Sequence, residues 1–206
     1  MDNPNELRFV CTRCGNCCTD RNTLVNVTSL DILRIIKGLK LDLTEALEIF
    51  GFYVFDKTLT TSDFKKMVIP PAKTERGLAF LGLMKNSQGK CCFYDLTKKK
   101  CLIYELRPIF CKSFPFTFYP SLDKEISSKE SAAICYTEKA KEYCPGIDGD
   151  SPLVDFNYLV DLAQKTLKEL RDNHSFIEHW NKEVSNNQIS PSAKNFLKNI
   201  FNISED

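Results

Sequence analysis

The chain has 206 residues, 43% hydrophobic and 27% charged, and its 28 basic and 27 acidic side chains leave a net charge of +1. That composition suits one globular domain, or a domain with an appendage, and the charge balance gives no reason to expect nucleic acid or an anionic membrane as a partner. No apolar run approaches the roughly 20 residues that span a bilayer, and the opening "MDNPNELRFV" lacks the basic and apolar regions of a secretory signal, so a cytoplasmic location is expected.

The first feature along the chain is "VCTRCGNCC", Val10 to Cys18, with four cysteines and a terminal doublet. Gly15 permits a tight loop there. "TSLDILRIIKG" predicts a helix capped by Thr28, with Asp31 completing a capping box and Gly38 as its stop. "DLTEALEIFG" repeats the device with Asp42, Glu45 and Gly51. Pro70-Pro71 excludes a continuous helix next. "LAFLGLM" and "CCFYD" flank the polar "KNSQGK" and predict a β-hairpin.

A second cysteine group follows: Cys91, Cys92, Cys101 and Cys111. "TKKK", from Thr97 to Lys100, is expected at a solvated loop tip. "FPFTFYP" predicts a strand between Pro115 and Pro120. Cys135 and Cys144 complete the ten cysteines, with Gly146 as a second tight point. From Pro152 to about Arg171, Leu153, Phe156, Leu159, Val160, Ala163, Leu167 and Leu170 recur at helical steps. Ser151 is the expected cap and Pro152 the first helical position. A shorter helix is expected from Ser192 to Phe201. His174 and His179, the only histidines, diverge by about 140° on a helix and are expected to face solvent.

In a reducing cytosol, grouped cysteines are metal ligands or redox centres more often than disulfides. A C-x2-C-x2-C loop can aim three sulfurs inward. Three thiolates from one loop and a distant Cys-Pro is how bacterial-type ferredoxin cubanes are held, and Cys144-Pro145 offers that dipeptide. Structural zinc more often takes two C-x2-C pairs. An iron–sulfur cluster therefore fits the spacing better, with zinc as the alternative. Adjacent side chains diverge on a strand or helix. Cys17 is thus expected to complete the loop site while Cys18 faces a second site made with the second group. The alternatives are one cluster plus reactive thiols, or a cysteine that simply packs.

Three segments, "FVCTRCGNCC", "CCFYDLTKKKCLIYELRPIFCKSFP" and "CPGIDGD", together resemble the YkgJ-like cysteine-cluster family, also described as the CxxCxxCC zinc- or iron-chelating domain. They appear in family order over roughly residues 8 to 150. The resemblance implies metal binding through eight cysteines: Cys11, Cys14, Cys17, Cys18, Cys91, Cys101, Cys111 and Cys144. Cys92 and Cys135 fall outside the pattern and are expected to pack. Arg107 is expected to hydrogen-bond cluster sulfurs or loop carbonyls, the alternative being a surface ion pair with Glu105. Tyr104 is expected either to donate to a sulfur or to pack. The cysteine motif is also similar to that of flagellin lysine methylase.

The expected fold class is α+β: a small cysteine-rich metal-binding domain of short helices and β-hairpins over residues 1–150, with a C-terminal helical extension, 151–206, packed on it. The expected cofactor is an iron–sulfur cluster, one or two [4Fe-4S] centres, or Zn2+. Three functions compete: a cluster protein with redox or methyl-transfer chemistry, a structural zinc module presenting a surface to a protein partner, and a metal-handling protein. No Walker loop, G-x-G-x-x-G, G-x-S-x-G or H-E-x-x-H occurs.

Overall fold

Two capping boxes start the helical part of the fold. The Thr28 side chain accepts from the Asp31 N–H, and Asp31 accepts from the Thr28 N–H. Asp42 and Glu45 do the same for the next helix. In this computed structural model, which describes residues 3–56, 58–120 and 132–202, the elements are both helical and stranded, an α+β fold. They are α1 (Asn16–Thr19), α2 (Ser29–Leu39), α3 (Leu43–Ile49), β1 (Phe50–Val54), α4 (Thr61–Lys66), β2 (Ala72–Thr74) and β3 (Gly77–Leu83). There follow β4 (Tyr94–Asp95), β5 (Lys100–Cys101), α5 (Ile109–Ser113), β6 (Phe116–Pro120), β7 (Ala132–Tyr136), α6 (Glu138–Tyr143), α7 (Phe156–Ser185) and α8 (Ala193–Asn202). Short 3-10 turns cover Pro4–Glu6 and Tyr104–Leu106.

Both predicted glycine stops are corrected. Gly38 lies inside α2, with the Leu106 side chain packed against it, and the helix ends at Lys40 in the left-handed conformation. Gly51 lies inside β1, opposite Gly82. The predicted hairpin is also re-paired. β3 is the central strand of an antiparallel sheet ordered β1-β3-β2, with Phe50 opposite Leu83 and Ala72 opposite Ala79. Of the expected pairing with "CCFYD", a Lys85–Cys91 bridge and the Cys92 N–H to Met84 carbonyl bond remain.

The hydrophobic residues form two clusters. Leu81 and Leu83 of the sheet pack with Ile32, Ile35, Ile177, Trp180, Phe196 and Leu197. Leu7, Phe116, Phe118 and Ile134 pack with Leu159, Leu162 and Ala163. α7 belongs to both. Its 30 residues make a rod of roughly 45 Å, with the β6–β7 hairpin near its start and the sheet near its end. Each fully buried large side chain contributes about 1.5–3 kcal/mol, so α7 and α8 are part of the core.

α7 starts later than predicted: Asp155 is its cap and Phe156 its first residue. The chain from Leu7 to Phe9 draws residues 152–154 into an extended pairing instead, with Phe9 N–H to Pro152 and Val154 N–H to Leu7. Phe156 is consequently 38% exposed, outside the expected apolar stripe, while Leu167 is partly buried as that stripe requires. Midway along α7 the buried face turns polar. Asn173 accepts from the first N–H of α2 at Ser29, and Glu169 accepts from the Thr28 hydroxyl. The long helix thereby satisfies and charge-complements the N-terminus of α2. His174 and His179 are exposed, each beside a glutamate one turn on. No helix among the described residues is long and apolar enough to cross a membrane.

Candidate metal centre

The first cysteine loop is shaped by two left-handed residues, Arg13 at φ 56° and Gly15 at φ 80°. Gly15 is also pressed against a ring. A Cβ there would lie 2.0 Å from the Tyr94 hydroxyl oxygen. Gly15 is the cap of α1, which carries Cys17 and Cys18. The doublet does not splay as expected. The two Sγ atoms lie 3.9 Å apart, within hydrogen-bond reach.

Three connections bring distant cysteines to this loop. First, the Val10 N–H donates to the Gly146 carbonyl at 3.0 Å, setting Cys11 beside the Cys144 segment. A Cβ on Gly146 would lie 2.2 Å from the Val10 carbonyl oxygen, so glycine is needed here for close approach. Asn16 Nδ2 also donates to the Tyr143 carbonyl at 3.0 Å. Second, the Cys91 N–H donates to the Cys18 carbonyl at 2.9 Å. Third, β4 and β5 pair Tyr94 with Cys101, while Asp95 accepts from the Thr97 and Lys98 N–H groups to close their exposed turn. α5 then brings in Cys111, and its first N–H, at Ile109, donates to the buried Asp31 carboxylate at 2.9 Å.

None of the ten cysteines is in a disulfide. Cys11, Cys14 and Cys17 are exposed, Cys91 is buried, and Cys18, Cys101, Cys111 and Cys144 are half-buried. Cys135 lies in β7 opposite Thr117. Cys92 is exposed, which corrects the expectation that it packs. Its hydrogen bond with Cys91 brings the Cys91 thiol down to about 7 and pushes its own up. The Cys17–Cys18 pair behaves alike. The shared hydrogen bond brings Cys17 down to about 7 against the desolvation imposed by the surrounding atoms, with the Arg107 charge assisting. The same bond, then burial, then the charges of Cys17, Cys91 and Cys111 push Cys18 up. Burial raises Cys101, Cys111 and Cys144.

The charges acting on these thiols come largely from other thiols. Cys111 lies within range of Cys91, Cys17 and Cys101. Cys144 lies within range of Cys14, Cys17 and Cys11. Cys17 belongs to both neighbourhoods. Among the described residues, no three histidine, cysteine, aspartate or glutamate side chains already stand at single-ion ligand spacing. The side chains gathered here are nonetheless all sulfur, a composition that favours zinc, iron–sulfur or other soft-metal chemistry over hard cations, and a metal binding to them would displace thiol protons to solvent.

Arg107 sits over the Tyr104 ring, its guanidinium carbon 3.7 Å from the centroid, and its Nε donates to the Tyr104 carbonyl at 2.9 Å. Its hydrogen bond thus goes to a loop carbonyl. Arg13 covers the same ring at 4.9 Å. Sequence reasoning missed the Tyr94 ring against Gly15, which no local pattern announces. It also missed the Asp31–Arg34–Glu169 ion cluster, in which Arg34 reaches Asp31 at 2.6 Å and Glu169 at 2.8 Å. Burial and the Glu169 charge push Asp31 up to about 7, against the N–H donors of Thr28 and Ile109 and the charge of Arg34.

Compared with known protein families, residues 10–145 match "CxxCxxCC: Putative zinc- or iron-chelating domain". Among curated proteins the chain is 29% identical over 113 residues to "Uncharacterized protein MJ0661" of Methanocaldococcus jannaschii. The match covers 55% of this chain and 47% of that protein, so the chain spans about half the length of that relative. No solved structure matches. The family match takes in most of the chain and all ten cysteines: the protein belongs to the CxxCxxCC family and carries its zinc- or iron-chelating domain.

Proposed function

We propose that this member of the CxxCxxCC family holds iron–sulfur chemistry on Cys11, Cys14, Cys17, Cys18, Cys91, Cys101, Cys111 and Cys144. One observation carries the reading: the thiols fall into two neighbourhoods that meet at Cys17. One contains Cys11, Cys14, Cys17 and Cys144, the loop-plus-distant Cys-Pro set suited to a cubane. The other gathers Cys18, Cys91, Cys101 and Cys111 about Cys17. A cluster supplies electron transfer when bound, and redox or methyl-transfer chemistry is the activity this reading extends to.

A second reading, a single structural zinc, has its own support. Tetrahedral zinc with Zn–S of about 2.3 Å spaces its sulfurs by about 3.8 Å, close to the 3.9 Å between Cys17 and Cys18. Anaerobic purification followed by metal and acid-labile sulfide analysis separates the two. Brown protein with equivalent iron and sulfide is expected. Colourless anaerobic protein with stoichiometric zinc overturns the iron–sulfur reading in favour of zinc.

A further inference from the structure

Beside the cysteines, α2, the Tyr104–Leu106 turn, α5 and α7 line an open surface cleft of about 550 Å3, within the range of small-molecule sites. Half of its charged residues are paired with one another or with Asp31. Arg34 is held by Asp31 and Glu169, and Lys168 pairs with Asp172 at 2.8 Å. Three lining cations, Arg107, Lys112 and Lys165, form no ion pair among the described residues, against one such carboxylate, Glu105. Arg107 is pre-set for recognition. Its stacking on Tyr104 and its Nε bond fix the guanidinium plane, leaving both Nη groups as the planar fork that matches an oxyanion. The rest of the lining includes Leu30, Ile109, Leu162, Tyr104 and Tyr158, an apolar and aromatic wall.

We propose that this cleft binds a small organic oxyanion, a carboxylate or phosphate ester with an apolar or aromatic body, its charge received by Arg107, Lys112 and Lys165. Inorganic anions fill only the charged end, and neutral analogues only the wall. The site does not depend on which metal the cysteines hold. It does border them, since the Arg107 charge also acts on Cys17 and Cys101.

Calorimetric titration of the full chain as purified, at low salt, tests this with four probes: phenyl phosphate, phenylacetate, inorganic phosphate and benzyl alcohol. At least one of the two aromatic anions is expected to bind saturably at one equivalent and more tightly than inorganic phosphate or benzyl alcohol. The tighter of the two tells whether the site prefers phosphate or carboxylate. Lys165→Gln, an exposed change on α7, and Lys112→Gln are each expected to weaken that binding about fivefold or more. Lys139→Gln, whose lysine pairs with Glu142, serves as the remote charge control and is expected to leave it unchanged. No saturable binding of either aromatic anion overturns the proposal. So does equal binding of inorganic phosphate or benzyl alcohol, or equal loss in Lys139→Gln. Metal and sulfide read on the same samples distinguish a failed cysteine assignment from an empty cleft.

Discussion

The backbone N–H of Cys91 donates to the carbonyl of Cys18 at 2.9 Å. That one bond fastens the second cysteine block to the end of the first loop, next to the Cys17–Cys18 sulfur pair. The two blocks are therefore expected to lose metal together. Cys14→Ala should lower both metal content and melting temperature, because structural metal of this kind contributes on the order of 10 kcal/mol or more, as much as a whole domain's stability. Cys92→Ser should keep the metal. Full metal in Cys14→Ala, or loss of an equivalent in Cys92→Ser, reassigns the ligands.

Gly15→Ala should destabilise the protein for two separable reasons. The left-handed backbone costs a non-glycine residue about 1–2 kcal/mol, and the new Cβ collides with the Tyr94 ring. Adding Tyr94→Ala should remove the second part of the Gly15→Ala cost and leave the first. A denaturant-unfolding double-mutant cycle with no coupling between the two positions contradicts the packing of Tyr94 on the loop.

Asp31 makes stability depend on pH in a stated direction. Its folded value is pushed up to about 7, against about 3.9 when unfolded. Between those limits the folded state holds the proton more tightly, so this group removes stability as pH rises from about 4 to about 7. Asp31→Asn cannot titrate, and it leaves an amide where Thr28, Ile109 and Arg34 require an acceptor. It should be less stable than the parent at acid pH, with the gap narrowing toward pH 7. A gap that widens over that range contradicts the assignment.

Removing residues from Ser151 onward tests whether the C-terminal part is an extension of a self-sufficient cysteine domain. It deletes Leu159, Leu162, Ile177, Trp180, Phe196 and Leu197 from the two cores. At about 1.5–3 kcal/mol each, that is comparable with a typical domain's total stability. The expected product is insoluble or molten and retains some metal. A soluble, cooperative, fully metallated fragment would make the helices an appendage.

What was legible in the sequence was local. The Thr28 and Asp42 boxes lie within one turn, and the residues that make them are the residues that show them. Thr60 and Asp63 carry the same signal ahead of α4, and it was readable by the same rule. What failed was non-local. Gly51 reads as a stop until Gly82 is placed opposite it. β3 finds its partners in β1 and β2, not in the next apolar run. α7 continues past Arg171 because Asn173, Ile177 and Trp180 extend its buried face, although a polar residue among them blurs the stripe. Cysteine spacing pointed to metal chemistry, in keeping with the family match over residues 10–145. It could not tell that Cys17 and Cys18 point together, which depends on how α1 docks, or that Cys92 is exposed.

The chain has one tryptophan. Trp180 is 1% exposed, its indole N–H donates to the Lys73 carbonyl at 2.9 Å, and its ring meets Phe196 edge-on at 5.0 Å. The far end of α7 therefore carries the chain's one indole fluorophore, selectively excitable apart from the tyrosines, in a dry, hydrogen-bonded setting. Its emission reports the junction of α7, α8 and the sheet, while the absorbance of any thiolate-bound metal reports the cysteine loops, which meet the same hydrophobic cluster at Cys91. Recording both colours on one heated sample reads the two regions separately: coincident curves mean that they melt as one cooperative unit, and offset curves show which yields first.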